Sequence, residues 1–114
     1  MHELSIASAI LEAAQREAAL HQNAPLQKIA VRLGELAAVD PEALRFSFEM
    51  ITKATEFEAV ELELEFVPRT NRCADCGSDF VVKDFEFRCP SCGGVNTSFL
   101  RGDELELAYL ELQS

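Results

Sequence analysis

The sequence contains no uninterrupted apolar run that approaches the roughly 18 residues a membrane-spanning helix needs. Its start also lacks the basic stretch followed by an apolar segment that is typical of a secretion signal. We therefore expect a soluble cytoplasmic protein whose cysteines stay reduced. Because it has 114 residues and 48% of them are apolar, the chain is long enough to bury one hydrophobic core.

Positive charge is scarce, since ten lysines and arginines are set against twenty aspartates and glutamates, which gives a net charge of −10. The acidic excess lies outside residues 68–102, which carry five basic and four acidic groups. An acidic surface repels phosphate backbones, so the composition argues against nucleic-acid binding. The sequence also shows no Ser-His-Asp set, no phosphate-binding loop and no paired catalytic carboxylates. We therefore do not expect an enzyme.

All four cysteines lie in two Cys-x-x-Cys-Gly motifs, at positions Cys73, Cys76, Cys89 and Cys92. Each motif turns the backbone so that two sulfurs face the same point. The glycine after each second cysteine permits the left-handed conformation that closes such a turn. Four thiolates in a tetrahedral arrangement suit zinc first and iron second, and a closed site leaves no open position for chemistry. The spacing therefore predicts a structural zinc site.

The sequence also allows two other roles for these cysteines. A pair of disulfides requires a secreted protein, and a redox protein requires a cysteine of low pKa in a reducible pair. Spacing suited to one tetrahedral site favours the metal over both. Three arginines flank the motifs and are expected to offset the negative charge of four thiolates around one divalent ion: Arg69, Arg72 and Arg88.

The rest of the sequence predicts an α+β fold in which two helices pack on one face of a three-stranded sheet. The first helix is predicted over about 4–22, with a buried face formed by Leu4, Ala7, Ile10, Leu11, Ala14 and Ala18. The second is predicted over about 41–54, because Asp40 and Pro41 supply an N-cap and a first-turn proline. Its expected core face contains Leu44, Phe46, Ser47, Phe48, Met50, Ile51 and Ala54. The residues expected to face water are Arg45, Glu49, Thr52 and Lys53.

Alternation of apolar and polar residues predicts strands at 26–33, 60–66 and 104–112. Glu35 and the row Glu61, Glu63 and Glu65 are expected to be solvated. The segment between the last two strands holds the cysteines, and its hairpins, predicted at 80–88 and 95–100, have too few apolar residues to fold without metal. We therefore predict two domains. Residues 1–67 with 103–114 form an α/β domain, and residues 68–102 form an inserted zinc-ribbon domain.

His2 is one of only two histidines, and its position beside the first residue gives it donors that an internal histidine lacks. The α-amine of Met1, the His2 amide nitrogen and the His2 imidazole can close adjacent chelate rings on nickel(II) or copper(II), which favour square-planar nitrogen ligands. Glu3 can supply a fourth donor, and the Asp40 carboxylate can also reach a metal held there. On the residues alone, simpler interpretations are a solvated His2 at a frayed terminus, an N-cap role for Asp40, and a helix-terminal or surface role for His21.

Three stretches of the sequence together resemble the HypA/HybF family of hydrogenase nickel-incorporation proteins: residues 1–5, residues 33–46 and the late Cys-x-x-Cys pairs. The resemblance covers essentially the whole chain. It implies a cytoplasmic metallochaperone that binds nickel(II) as cargo and, with the GTPase HypB, helps deliver it to the large subunit of [NiFe]-hydrogenase. The family's nickel residues map onto Met1, His2 and Glu3, which places nickel in the α/β domain. Its structural zinc ligands map onto the four cysteines.

The chain departs from this family in one respect, because no histidine follows His21. Some members recruit a further histidine from beside the zinc ribbon, so the fourth nickel ligand here is open among Glu3, Asp40, water and a group from a partner. A homodimer and a role in urease maturation are also open. The alternative function is a zinc-ribbon adaptor without nickel, whose acidic surface docks a basic protein.

Overall fold

The computed structural model describes residues 2–113 and contains two helices and six strands in that range. In chain order these are α1 (Glu3–Ala19), β1 (Leu26–Gly34), a 3-10 turn (Glu35–Ala37), α2 (Pro41–Thr52), β2 (Glu61–Val67), β3 (Thr70–Cys73), β4 (Asp79–Val81), β5 (Thr97–Arg101) and β6 (Leu105–Leu112). The predicted α+β fold is confirmed. Within the same range, neither helix is both long and apolar enough to cross a membrane.

The strands form two three-stranded sheets, with the orders β2-β1-β6 and β4-β3-β5. The chain divides into two compact units. The first contains the residues up to Arg32, the segment Ala38–Glu65 and the residues from Glu106 onward, and the second contains Leu33–Ala37 and Phe66–Leu105. The end of β1 and the 3-10 turn thus belong with the cysteine-rich segment. The assignment of nickel to one domain and zinc to the other stays a prediction.

Strand β1 is central in the first sheet, and ion pairs show how β2 runs beside it. Lys28 near the start of β1 contacts Glu61 at the start of β2 (3.5 Å), whereas Arg32 near the end of β1 contacts Glu65 further along β2 (3.7 Å). The two strands therefore run in the same direction. Parallel neighbours need a crossover connection, and α2 provides it.

Strand β6 runs in the opposite direction on the other side of β1. The amide of Gly34 donates to the carbonyl of Glu104 (2.7 Å), and the amide of Gln113 donates to the carbonyl of Pro25 (2.8 Å). The alternation predicted for this strand is interrupted, because Leu107 and Leu110 both pack against the core although they lie an odd number of residues apart.

The core of the first unit lies between the sheet and the two helices. Its buried members are Ile6, Ala7, Ala14, Ile29, Val31, Leu44, Phe48, Val60 and Leu62. Ile29 and Val31 supply the inner face of β1, as the alternation predicts. In α1 the expected face is correct except at its start, where Leu4 is 49% exposed and Ile6 is buried instead.

Helix α2 buries only part of the face predicted for it, because Leu44 and Phe48 are buried and Ile51 packs against the core, whereas other members of that face do not. Phe46 and Met50 are 62% and 55% exposed, whereas Thr52 is buried and its hydroxyl donates to a carbonyl one turn earlier (2.8 Å). Arg45 is exposed, as expected, and its guanidinium also donates to the carbonyl of Leu62 (2.8 Å). The apolar side chains of α2 are spread over a wide part of its circumference, so their periodicity did not specify a single buried face. Ala54, assigned to the core face, is exposed and lies beyond the helix end.

In the second unit, β3 is the central strand and pairs antiparallel with both β4 and β5. Asn71 lies opposite Phe80 on one side and Phe99 on the other. The predicted hairpins at 80–88 and 95–100 are therefore only partly correct, because β4 and β5 each pair with β3, which the sequence pattern did not indicate. A single isolated bridge joins Lys83 and Glu86.

Candidate metal centres

The four cysteine sulfurs converge, with all Sγ atoms within 4.8 Å of one another. Sulfurs from different motifs approach to 3.6 Å, Cys73 against Cys92 and Cys76 against Cys89. A tetrahedral zinc ion with Zn–S bonds of about 2.3 Å separates its sulfurs by roughly 3.8 Å, so the cluster has the size of a zinc site. Within residues 2–113, no other group of three or more histidine, cysteine or carboxylate side chains converges in this way.

The two motifs form nearly identical loops. The amide of Gly77 donates to the carbonyl of Cys73, and the amide of Gly93 donates to the carbonyl of Cys89, both at 2.8 Å. The φ angles of Gly77 and Gly93 are +78° and +73°, in the left-handed region that favours glycine. The amide of each first cysteine also donates to a carbonyl five residues later, at 2.9 Å in both motifs. The sequence expectation for these glycines is confirmed.

The exposed cysteine of each motif is hydrogen-bonded to the residue two positions later. Hydrogen bonds from the Ser78 side chain and backbone lower the pKa of Cys76 to about 6, with Ser78 Oγ 3.3 Å from the sulfur. The amide of Gly94 donates to Cys92 Sγ (3.4 Å) and favours its thiolate, but the other three thiols, together with burial, raise the pKa of Cys92 to about 12. Cys76 therefore ionises before Cys92, and the Cys76 sulfur is one of the groups that disfavour ionisation of Cys92. A bound divalent cation removes this opposition.

Two of the three flanking arginines, Arg69 and Arg72, have other partners. The Arg72 guanidinium donates two hydrogen bonds to the Asp79 carboxylate (2.8 and 3.3 Å), and the Arg69 guanidinium lies 4.7 Å from the centroid of the Phe87 ring. These two side chains are therefore engaged by other groups. Within the described residues, the groups other than cysteine that are hydrogen-bonded to the sulfurs of the two motifs belong to Ser78 and Gly94.

Of the predicted nickel residues, Met1 lies outside the described residues. His2 is the N-cap of α1, in an extended conformation, and its carbonyl accepts a hydrogen bond from the Ile6 amide (3.1 Å). The His2 side chain is exposed and makes no capping hydrogen bond. The backbone of His2 is therefore fixed by the helix, while its imidazole is not used by the cap.

Glu3 and Asp40 are brought together from distant parts of the chain. A Glu3 carboxylate oxygen, Oε2, accepts a hydrogen bond from the Asp40 amide at 3.5 Å. Asp40 caps α2, because its Oδ1 accepts from the amides of Glu42 (3.0 Å) and Ala43 (3.4 Å), so the N-cap interpretation is confirmed. The N-terminus of α2 thus lies against the first turn of α1. The part of His2 in a metal site stays a prediction.

Other residues named from the sequence have specific neighbours. His21 is exposed just beyond α1. Glu35 does more than face water, because its Oε1 accepts a hydrogen bond from the Arg69 amide (3.0 Å). Ser78 and Gly94 were missed, although both stand two residues after the second cysteine of a motif. That fixed offset was the available signal.

Comparison with known proteins gives consistent results. The family model described as "Hydrogenase/urease nickel incorporation, metallochaperone, hypA" matches residues 1–112. The hydrogenase maturation factor HypA of Acidithiobacillus ferrooxidans is 34% identical over 99% of this chain and 100% of that protein. The HypA proteins of Syntrophus aciditrophicus and Roseiflexus sp. are 38% and 39% identical over 98% and 99% of this chain, and over 97% and 93% of their own lengths.

Two solved structures share the fold. The Ni metallochaperone HypA from Helicobacter pylori, solved in solution, has a TM-score of 0.65 and 24% identity, and the match covers 98% of this chain and 97% of that one. A second solution structure, described as HypA protein, has a TM-score of 0.70 and 23% identity over 99% of this chain and 97% of that one. At these identities, the structures support the fold alone.

Proposed function

Because the chain belongs to the HypA family of hydrogenase and urease nickel-incorporation metallochaperones, we propose that it binds nickel(II) at its first residues and passes the ion to a client enzyme. The donors are the α-amine of Met1, the His2 amide nitrogen and the His2 imidazole. Three nitrogens joined by adjacent chelate rings suit the square-planar preference of nickel(II). The observation that carries the proposal is the 3.5 Å hydrogen bond from the Asp40 amide to the Glu3 carboxylate, because it brings the N-terminus of α2 against the residue that follows His2.

The same contact supplies candidates for the fourth position. Glu3 belongs to the first turn of α1, and Asp40 begins α2, so both carboxylates are attached to ordered helix ends. Oδ1 of Asp40 is used by the cap of α2, and only the other oxygen is available for a metal. A fourth ligand from a side chain, from water or from a partner exchanges more readily than a donor inside the chelate. This exchange is the step by which a chaperone releases its cargo.

The four cysteines hold zinc in a structural role in this proposal. Their sulfurs already have tetrahedral spacing, and a closed site of four thiolates has no open position for cargo. Zinc binding at such sites contributes about 10–16 kcal/mol in small peptides, enough to fold a segment with few apolar residues. The second unit has this need, since several of its large apolar side chains are exposed, including Phe85 (83%) and Val95 (76%).

The partners and location follow from the family. We propose the GTPase HypB as a partner and the large subunit of [NiFe]-hydrogenase as the client, in the cytoplasm, with a homodimer as one arrangement in which this takes place. The relatives named hydrogenase maturation factor support hydrogenase as the client. The family description also includes urease, which stays open as a second client. As a maturation factor, the protein transfers an ion and catalyses no reaction of its own.

The experiment that tests this proposal titrates nickel into untagged, zinc-loaded protein and measures the affinity by calorimetry. His2→Ala should abolish tight nickel binding. His21→Ala is the matched control, because it removes the only other histidine from an exposed position and should leave the affinity unchanged. Equal nickel affinity in wild type and His2→Ala would reject the proposal and favour a zinc-ribbon adaptor without nickel.

A further inference from the structure

Strand β6 is an outer strand of its sheet, and within residues 2–113 it pairs only with β1. Edge strands present a row of backbone N–H and C=O groups to which another strand can be added. Natural edges are usually protected by short length, proline, bulges or charged side chains, especially lysine. Strand β6 is eight residues long and contains no proline or lysine, and its two charged residues, Glu106 and Glu111, are paired with cations of β1. Its backbone is therefore suited to accept a further strand.

A cleft follows this edge, between β6 and the last turns of α1. Five residues of β6 line it, among them Leu107, Leu110 and Leu112, and Glu17 and His21 line the opposite side. In a strand added to an edge, alternate side chains point to the same face. Apolar side chains at every second position of an added strand would therefore lie against Leu110 and Leu112, while Leu107 reaches the cleft because the alternation of β6 is interrupted.

The opposite face of β6 is acidic. Glu111 shares the Lys28 ammonium (3.4 Å) with two carboxylates of β2, and Glu106 shares the Arg32 guanidinium (3.2 Å) with one. Five carboxylates thus share two cations on this face, which leaves a charge of −3. Lysine or arginine at the remaining positions of an added strand would complete these pairs, since opposite charges across neighbouring strands stabilise a sheet.

From the open edge, the apolar cleft and the acidic face together, we infer that β6 is the docking site for an extended segment of a partner protein with alternating basic and apolar residues. A second copy of this chain does not fit. Antiparallel pairing of two β6 strands about their centre places Glu106 of one copy opposite Glu111 of the other, and like charges directly opposite destabilise a sheet. The inference is independent of nickel, because no proposed metal ligand takes part.

The test uses the full, zinc-loaded chain and a synthetic nine-residue peptide of alternating valine and lysine. Fluorescence anisotropy of a labelled peptide measures its affinity, and amide hydrogen exchange locates the binding site. Binding should slow exchange of amides in β6. A peptide of alternating valine and glutamate is the control and should not bind. Unchanged exchange in β6 on binding of the lysine peptide would overturn the inference.

Two double variants separate edge docking from general attraction to an acidic face. Glu106→Gln with Glu111→Gln removes two carboxylates from β6, and Glu61→Gln with Glu65→Gln removes two from β2 that contact the same cations. The β6 variant should weaken peptide binding roughly tenfold and the β2 variant less than about twofold. Equal weakening by both would overturn the inference. Circular dichroism and zinc content should be unchanged in both, because neither pair contacts the cysteines.

Discussion

Tyr109 on β6 donates a 2.6 Å hydrogen bond to Glu63 Oε2 on β2, and this bond joins the two outer strands of the sheet across the central strand β1. Ala30 of β1 lies on this face, since Ile29 and Val31 point to the core, and it is completely buried. A small side chain at this position leaves room for the tyrosine to pass. The two outer strands are thus held together by side chains as well as by their pairing with β1.

Tyr109→Phe should lower the stability of the protein at neutral pH and reduce the stability that it loses on acidification. The Tyr109 hydrogen bond is the main cause that lowers the pKa of Glu63. A carboxylate whose pKa is lower in the folded state stabilises the fold above its unfolded pKa of about 4.3 and loses this contribution as the pH falls through the folded value. In the variant, the pKa of Glu63 should rise and this acid-dependent stabilisation should shrink. NMR titration of the Glu63 side chain measures the pKa directly, and an unchanged value would contradict this role of Tyr109.

Lys28 should stabilise the protein up to unusually high pH. Burial disfavours its charged form, but the hydrogen bond to Glu111 and the charges of Glu111, Glu63 and Glu61 raise its pKa to about 12. A lysine with a raised pKa contributes fully below its unfolded value of about 10.4, and the contribution is lost as the pH rises through about 12. Urea unfolding of the wild-type protein, measured from about pH 10.4 to about pH 12, should show a decline in stability with rising pH. The Lys28→Gln variant should not show this decline. Lys53→Gln, at an exposed position, should retain it.

Sequence patterns predicted the elements whose signals are local. Strand β2 was recognised because glutamates and apolar residues alternate along it, and the cysteine cluster because its spacing is repeated within 20 residues. The face of α2 was not specified, because Phe46 and Met50 give the exposed side the same apolar character as the buried one. Tertiary contacts determine which face of α2 is buried.

Long-range pairing accounts for the other differences. Residues 33–37 join the second unit through contacts such as the hydrogen bond from the Leu36 amide to the Gly102 carbonyl (2.7 Å), which links positions far apart in sequence. Strand β3 is only four residues long and has no alternation, and it exists because β4 and β5 pair with it. The contact between Glu3 and Asp40 is of the same kind. The sequence offered Asp40 as one option among several for the fourth nickel ligand, and its part in a metal site stays a prediction.

Cys73→Ala should unfold the second unit while the core of the first unit persists. Cys73 is completely buried, and its loss leaves three thiols in a site that needs four. Zinc content should fall and amide exchange should become fast over residues 66–105, whereas Ile29 and Val31 stay protected. Ser91→Ala lies in the second motif but at an exposed, non-ligating position, and it should keep both zinc and protection. A zinc-loaded, folded Cys73→Ala protein would show that the cysteines do not act as one site.

Gly94→Ala should weaken the zinc site by crowding. A methyl group at this position would lie 2.9 Å from the Asp75 carboxylate and 3.2 Å from Cys92 Sγ, so the sulfur or its neighbour must move. Gly93→Ala is the informative comparison, because its methyl would meet no atom within 4 Å and only the left-handed backbone is strained, by about 1 kcal/mol. Competition with a zinc chelator should show a larger loss of affinity for Gly94→Ala. The reverse order would mean that backbone strain outweighs contact with the sulfur.

The position of His2 relative to the α-amine should control nickel release. One residue added before Met1 moves the histidine to the third position, where the amine, two intervening amides and the imidazole fill all four square-planar sites. In the native order three such donors end at His2, and the fourth position is filled by Glu3, Asp40 or an exchangeable group. The extended protein should therefore bind nickel at least as tightly as the native one, yet transfer it more slowly.

Acetylation of Met1 separates binding from release, because it removes the amine from the donor set and should weaken nickel binding itself. The measurement compares nickel affinity and the rate of transfer to a competing chelator for the native, extended and acetylated proteins. All three carry the same zinc site, so zinc content serves as the internal control for folding. Transfer from the extended protein at the native rate would show that an exchangeable fourth ligand does not govern release. Native affinity in the acetylated protein would remove the α-amine from the proposed site.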